Sequence, residues 1–209
     1  MHSGGDGELI LTDVTISGNS AADGGGVTSN GASAGGLTLT RVELSANSAE
    51  DGDGGGLLIE GGPATIVDSD FVQNSAESGG GLANHSGGVV SIDLSSFTEN
   101  VVEEEGGGID NQSDGAFSVT RSTIAGNRAT QGGGLNSGSD AAFIVESTSI
   151  SGNTATISAG GLLVGDPITL SNSTVANNSA PAGGGLEKVG DSRQSAPARP
   201  REEPRQVKS

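Results

Sequence analysis

Cysteine, tryptophan and tyrosine are missing from this chain, and its aromatic side chains are four phenylalanines in 209 residues. Without cysteine there are no disulfides and no thiolate metal sites, though this alone does not fix a compartment. Apolar residues make up only 32% of the sequence. A compact globule of this length would struggle to offset its chain entropy with so little bulk. A solenoid can, because each turn need only cover its neighbour. Basic residues are scarce too. Residues 1–186 carry three (Arg41, Arg121, Arg128) among 22 acidic ones, in a chain of net charge −17. Such a body repels nucleic acid, anionic membranes and polyanionic sugars. No apolar run is long enough to cross a membrane, and nothing near Met1 resembles a signal peptide.

What the chain has in excess is glycine, 38 residues of it, and the glycines fall at a fixed phase. The stretch Ile16-Ser17-Gly18-Asn19, a spacer, and then Gly24-Gly25-Gly26-Val27 recurs with small changes. Its asparagines are Asn19, Asn47, Asn74, Asn100, Asn127, Asn153 and Asn178, spaced 25 to 28 residues apart. The glycine runs open at Gly24, Gly54, Gly79, Gly106, Gly132 and Gly183; the sixth of the seven is reduced to Gly160-Gly161 after Ala159. A period of this size means a stacked repeat and not a single globular core.

Aligning the repeats exposes strands. Five residues before each motif stand Leu11, Leu39, Ile66, Ile92, Val119, Val145 and Leu170, and seven before stand Leu9, Leu37, Ala64, Val90, Phe117, Phe143 and Ile168. Polar residues fill the places between, the period of two expected of a strand with one buried face. Small hydroxylated residues then mark a corner, and another strand opens after the glycines at Val27, Leu57, Leu82, Ile109, Leu135, Leu162 and Leu186. About three short strands per turn, wound with one hand, predict an all-β, single-stranded parallel β-helix of about seven rungs. Right-handed winding is expected from the chirality of parallel crossovers. The asparagines suit the bends, since asparagine tolerates left-handed backbone angles and its amides can stack as a ladder. The glycines supply positive φ.

The repeats span residues 1–187. Residues 4–9 read as the end of an earlier turn, so the repeat region reads as a piece of a longer solenoid. Residues 188–209 hold Pro197, Pro200 and Pro204 among mixed charges and read as a disordered tail.

With its columns aligned, the chain resembles right-handed parallel β-helix repeat proteins of the pectate-lyase-like superfamily. Gly79-Gly80-Gly81-Leu82 with Phe71-Val72-Gln73-Asn74, and Gly106-Gly107-Gly108-Ile109 with Phe97-Thr98-Glu99-Asn100, are similar to polymorphic outer membrane protein repeats. The string Thr148-Ser149-Ile150-Ser151-Gly152-Asn153 resembles exported proteins with choice-of-anchor domains. The resemblance covers roughly residues 9–186. It implies export and display outside the cell or at an outer-membrane surface, as an adhesin or passenger segment that binds a protein or glycan. Membrane attachment would then come only through segments outside this chain.

Enzymes of that fold act on polysaccharides with carboxylates on one exposed face. The best cluster of that kind here is Glu43, Asp68, Asp70 and Asp93, with Glu43 and Asp70 in one column on successive rungs. Carboxyls about 5 Å apart suit a retaining glycosidase. The alternative reading is a chance pair on a solvated acidic face, since no basic residue shares the column and no aromatic ring is at hand for a sugar. A second acidic feature is the spacer before the glycines. Asp51, Asp53, Glu77, Glu103 and Glu105, with Asp23, Glu50 and Glu104, would stack into a ridge of hard oxygen ligands suited to calcium. The plainer reading is a solubilising edge that needs no cofactor. His85 is isolated, no serine has a histidine base, and the glycine runs lack the lysine of a phosphate loop. The expectation is therefore a non-enzymatic display module, with a β-helix lyase or glycoside hydrolase acting on a neutral polysaccharide as the alternative.

Overall fold

The computed structural model describes residues 2–3, 7–31, 36–138, 141–165 and 167–189. They form an all-β parallel solenoid of about six turns, with no helix among the described residues. Three parallel sheets run along it, of 12, 8 and 6 strands.

One turn shows how the sequence produces the path. Val90–Asp93 and Ser96–Thr98 lie in the 12-stranded sheet, bent at Leu94-Ser95. Asn100 turns the chain into Val101–Val102 of the 6-stranded sheet. The Glu103–Glu105 loop and Gly106–Gly108 lead into Ile109–Asn111 of the 8-stranded sheet, and the chain returns as Phe117–Thr120, one level on. Repeat columns stack in register: Ile92 pairs with Ile66 on one side and Val119 on the other, and Phe97 with Phe71 and Ile124. The Ser-Ala pairs after the first asparagines read as spacer in the sequence. In the structure they are two-residue strands, such as Ser48–Ala49 and Ser75–Ala76.

The inward columns form one continuous core, from Leu11, Leu39 and Ile66 to Phe143, Val145 and Leu162. Phe71 and Phe97 stack with ring centroids 4.4 Å apart. The narrow lobe between the 6-stranded sheet and the glycines is filled by small side chains, Ala49, Ala76, Val102 and Ala129, with Ala155 buried in the same column. Small residues are required there. A Cβ at Gly133 would stand 2.6 Å from both the Thr154 and Gly160 carbonyl oxygens. The first glycine of each run serves differently, by adopting positive φ, as at Gly106 (φ 64°); Ala159 takes that conformation at φ 55°.

The asparagines form the expected ladder, with one correction. None of the seven has positive φ; the residue before each carries it, including Ala46, Gln73, Glu99 and Asn177. The asparagine backbone is thereby left free to pair along the stack. Asn74 donates from its backbone N and its Nδ2 to Asn100 Oδ1, at 2.9 and 3.1 Å, and its second Nδ2 hydrogen goes to Leu44 O at 2.9 Å. Donors and acceptor are all used, as burial demands.

The hydroxylated corner is a second ladder. Ser69 N donates to Ser95 Oγ at 3.2 Å and Ser95 N to Ser122 Oγ at 3.1 Å, while each hydroxyl donates to the carbonyl two residues earlier. The first two turns have Val14 and Val42 at this place. A valine side chain offers no oxygen to accept, so Val14 pairs with Val42 and the strands Leu9–Ser17 and Leu37–Ser45 continue through the bend. Val42 N donates to Ser69 Oγ at 3.1 Å as the first donor of the ladder.

At the ends, His2–Ser3 pairs with Thr28 and Ser29. Leu186–Lys188 pairs with Leu162–Val164, so the sheet includes Lys188. Residues 4–6 of the earlier turn and 190–209 of the tail lie outside the described residues.

Candidate functional sites

The corner column of the bent sheet sets the first site. Asp13, Arg41, Asp68 and Arg121 all adopt φ near 50° there, which turns their side chains along the bend. Asp13, Arg41, Glu43, Asp68 and Asp70 border a shallow hollow of about 320 Å³. Glu43 and Asp70 are register partners, on strands about 4.8 Å apart. The sequence column lacks a base, but the structure brings Arg41 into the same hollow. Its guanidinium is committed to Asp13, with Nε 2.5 Å from Oδ1 and Nη2 3.0 Å from Oδ2. That pairing holds the Asp13 carboxyl below the usual carboxylate range and raises Arg41. Ser96 donates to Asp70. Asp93 is not a lining residue of the hollow. Arg121 Nε reaches its Oδ1 at 2.9 Å and Thr120 Oγ1 at 2.8 Å, and the arginine holds its carboxyl low. The four candidate carboxylates are therefore three around the hollow and one in a separate ion pair. The outward threonines form no unbroken array: Val67, Asp93 and Glu146 interrupt the column of Thr12, Thr40 and Thr120, and Ser91, Ser118 and Ile144 that of Thr38, Thr65 and Thr169.

The acidic spacer also divides. Glu50, Asp51, Glu77 and Glu103 rim a groove of about 560 Å³ floored by Ser48, Ala49, Ser75 and Ala76. Asp53 and Glu105 are tied elsewhere. Ser78 N donates to Asp53 Oδ1 at 3.1 Å, and His85 Nε2 lies 3.4 Å from Asp53 Oδ2. Among the described residues, no group of three or more acidic or imidazole side chains is arranged to hold a metal ion.

Glu105 belongs to a cluster that the sequence did not reveal. Asn136 Nδ2 donates to Glu105 Oε2 at 2.8 Å and to Asp110 Oδ1 at 2.7 Å, and Gln112 Nε2 reaches the same Asp110 oxygen at 3.1 Å. Asp110 is 2% exposed. Burial pushes its carboxyl up to about 7 against the pull of its two amide donors, with Glu105 and Asp53 adding repulsion. Glu105 is raised as well, by burial and by Glu104. Alternation places residue 110 on the outer side of its strand. The loops fold over that side, which is why Leu58, Ala83, Asp110 and Asn136 are all buried there. A lone aspartate in a column that also holds Leu58 and Ala83 was the one available signal.

Comparison of this chain with protein-family models, with curated proteins and with solved structures finds no match.

Proposed function

We propose that the protein is a non-enzymatic β-solenoid module, exported or displayed at a cell surface, which presents a rigid face to a protein or glycan. The observation that carries this reading is the bent sheet. Its strands stack in register along the whole solenoid over a filled core. The ladder of buried asparagines stiffens one edge, so a ligand would meet a surface organised before binding, at little ordering cost. The likeness of its repeats to outer-membrane and pectate-lyase-like β-helices supports an extracellular or outer-membrane setting and right-handed winding. The acidic body disfavours nucleic acid and anionic membranes as partners. The module needs no cofactor for this role. The test is immobilised binding of the whole chain to arrays of neutral glycans and surface proteins. Saturable binding weakened by charge reversal at Glu43 or Asp70 supports the reading, and no binding above a scrambled acidic control overturns it.

A second reading has one observation in its favour. Glu43 and Asp70 are in register beside Arg41, the carboxylates and basic group that a β-helix glycosidase or lyase uses. On that reading the substrate is a neutral polysaccharide. The pairing of Arg41 with Asp13 argues against it, because the only cation at the hollow among the described residues is already neutralised.

A further inference from the structure

Asp110 is the most deeply buried carboxyl group among the described residues, and the display reading makes no use of it. It sits on Ile109–Asn111, in register with Ala83 below and Asn136 above. The groups facing it are Gln112 from its own segment, Asn136 from the next turn, Glu105 from the loop before its strand, and Asp53 from an earlier turn. Glu104 bears on Glu105, and His85 on Asp53. A single amide nitrogen thus joins two carboxyl groups, and no cation among the described residues forms an ion pair with either.

We propose that the Asp110–Asn136–Glu105 bridge is a proton-operated latch, which clamps the Glu105 side chain against the 8-stranded sheet in mildly acidic solution and lets it swing out, loosening the amides of Glu103 and Glu105, as the solution turns alkaline. The loop backbone is held through Glu104, whose N donates to Glu77 O at 2.8 Å and whose O accepts from Thr130 N and Gln131 N at 2.8 and 3.0 Å. What can loosen is the Glu105 side chain and the two amides flanking Glu104. Glu103 N reaches Ala76 O, and Glu105 N reaches Ser78 Oγ, only at 3.4 Å each, at the long limit of a hydrogen bond. Three consecutive carboxylates in the loop repel one another. A proton on Asp110 leaves the Asn136 amide between one charge and one neutral acid. Its loss leaves two like charges sharing one donor, and swinging the Glu105 side chain outward hydrates it.

The direction follows from linkage. A carboxyl raised in the closed state, to about 7 for Asp110, stabilises that state fully below its ordinary value. The advantage shrinks as pH climbs toward 7 and is gone above it. Loosening of the Glu103 amide would reach the groove beside the 6-stranded sheet, since Glu103 is on its rim. The proposal does not depend on what that groove binds.

Amide hydrogen exchange on the whole chain, corrected for intrinsic rates, tests the latch. Between about pH 5 and pH 8 the protection of Glu103 and Glu105 should fall on the order of tenfold or more, while Asp110→Asn should remove that dependence. A carbon-13 titration of the Asp110 carboxyl gives an independent reading if the variant fails to fold, and its midpoint should lie near neutrality. A midpoint in the ordinary aspartate range, or an equal loss of protection in Asp110→Asn, overturns the proposal. A purely packing role for Asp110 would shift protection equally at both pH values and overturns it too.

Discussion

Asn100 and Asn127, on adjacent turns, are joined twice: the Asn100 backbone N and its Nδ2 both donate to Asn127 Oδ1, at 2.9 and 3.0 Å. The remaining Nδ2 hydrogen of Asn100 goes to Phe71 O at 3.0 Å, and its own Oδ1 accepts from Asn74. Truncating this residue strands several buried partners. Asn100→Ala should therefore cost about 2–4 kcal/mol, read as a lowered urea midpoint. The exposed Asn19 stands where the ladder begins among the described residues, and Asn19→Ala should cost under about 1 kcal/mol. Equal losses at the two positions would show that the ladder does not carry rigidity along the stack.

The glycines separate into two kinds that a substitution pair can distinguish. Gly133→Ala puts a methyl group into two backbone carbonyls, which neither chain segment can avoid without moving the sheets. A loss above about 3 kcal/mol is expected. Gly18 has positive φ but open space around it, so Gly18→Ala pays only for conformation, about 1 kcal/mol. Thermal unfolding of the two variants beside the parent chain decides the point.

Asp110→Asn should change stability in a pH-dependent way. The native carboxyl is raised above its unfolded value, so its contribution is complete below about pH 4 and declines as pH rises toward 7. The asparagine variant keeps an acceptor for Asn136 and carries no charge. It should match the parent near pH 4 and exceed it by roughly 1–3 kcal/mol near pH 8. Chemical denaturation at both pH values measures this, and a variant that is less stable at pH 8 would refute the assignment.

Cations should act on the acidic ridge as screening and not as coordination. Asp53 and Glu105 are bound elsewhere, and no three ligating groups converge among the described residues. Equal calcium and magnesium should raise the melting midpoint by the same amount, and plain salt of equal ionic strength should approach it. A rise specific to calcium would contradict this and make the ridge a calcium site.

Much of this architecture was legible because stacking turns sequence period into spatial register. Leu39, Ile66 and Ile92 are equivalent in the sequence and pair directly in the sheet. The ladder was legible for the same reason, since identical side chains one period apart must meet. Local backbone geometry was not. Positive φ falls on Glu99 and Gln73, residues without a preference for it, because the ladder bonds of the next residue impose it. The hydroxyl ladder was hidden because Ser69 and Ser95 read as ordinary corner residues. Asp110 was hidden because alternation tells inside from outside relative to one strand only. It does not reveal that the loops return to cover the outer side. At the corner hollow, a single column showed Glu43 with Asp70 but could not show Arg41, which arrives from the neighbouring column through the bend.

The most direct test of the display reading is to incubate the whole chain with a panel of neutral polysaccharides and to measure retention and new chain ends in the same samples. The account predicts saturable retention with no new reducing or unsaturated ends, and unchanged silence in Glu43→Gln and Asp70→Asn. Steady release of chain ends that either substitution abolishes would contradict it and make the corner hollow an active site.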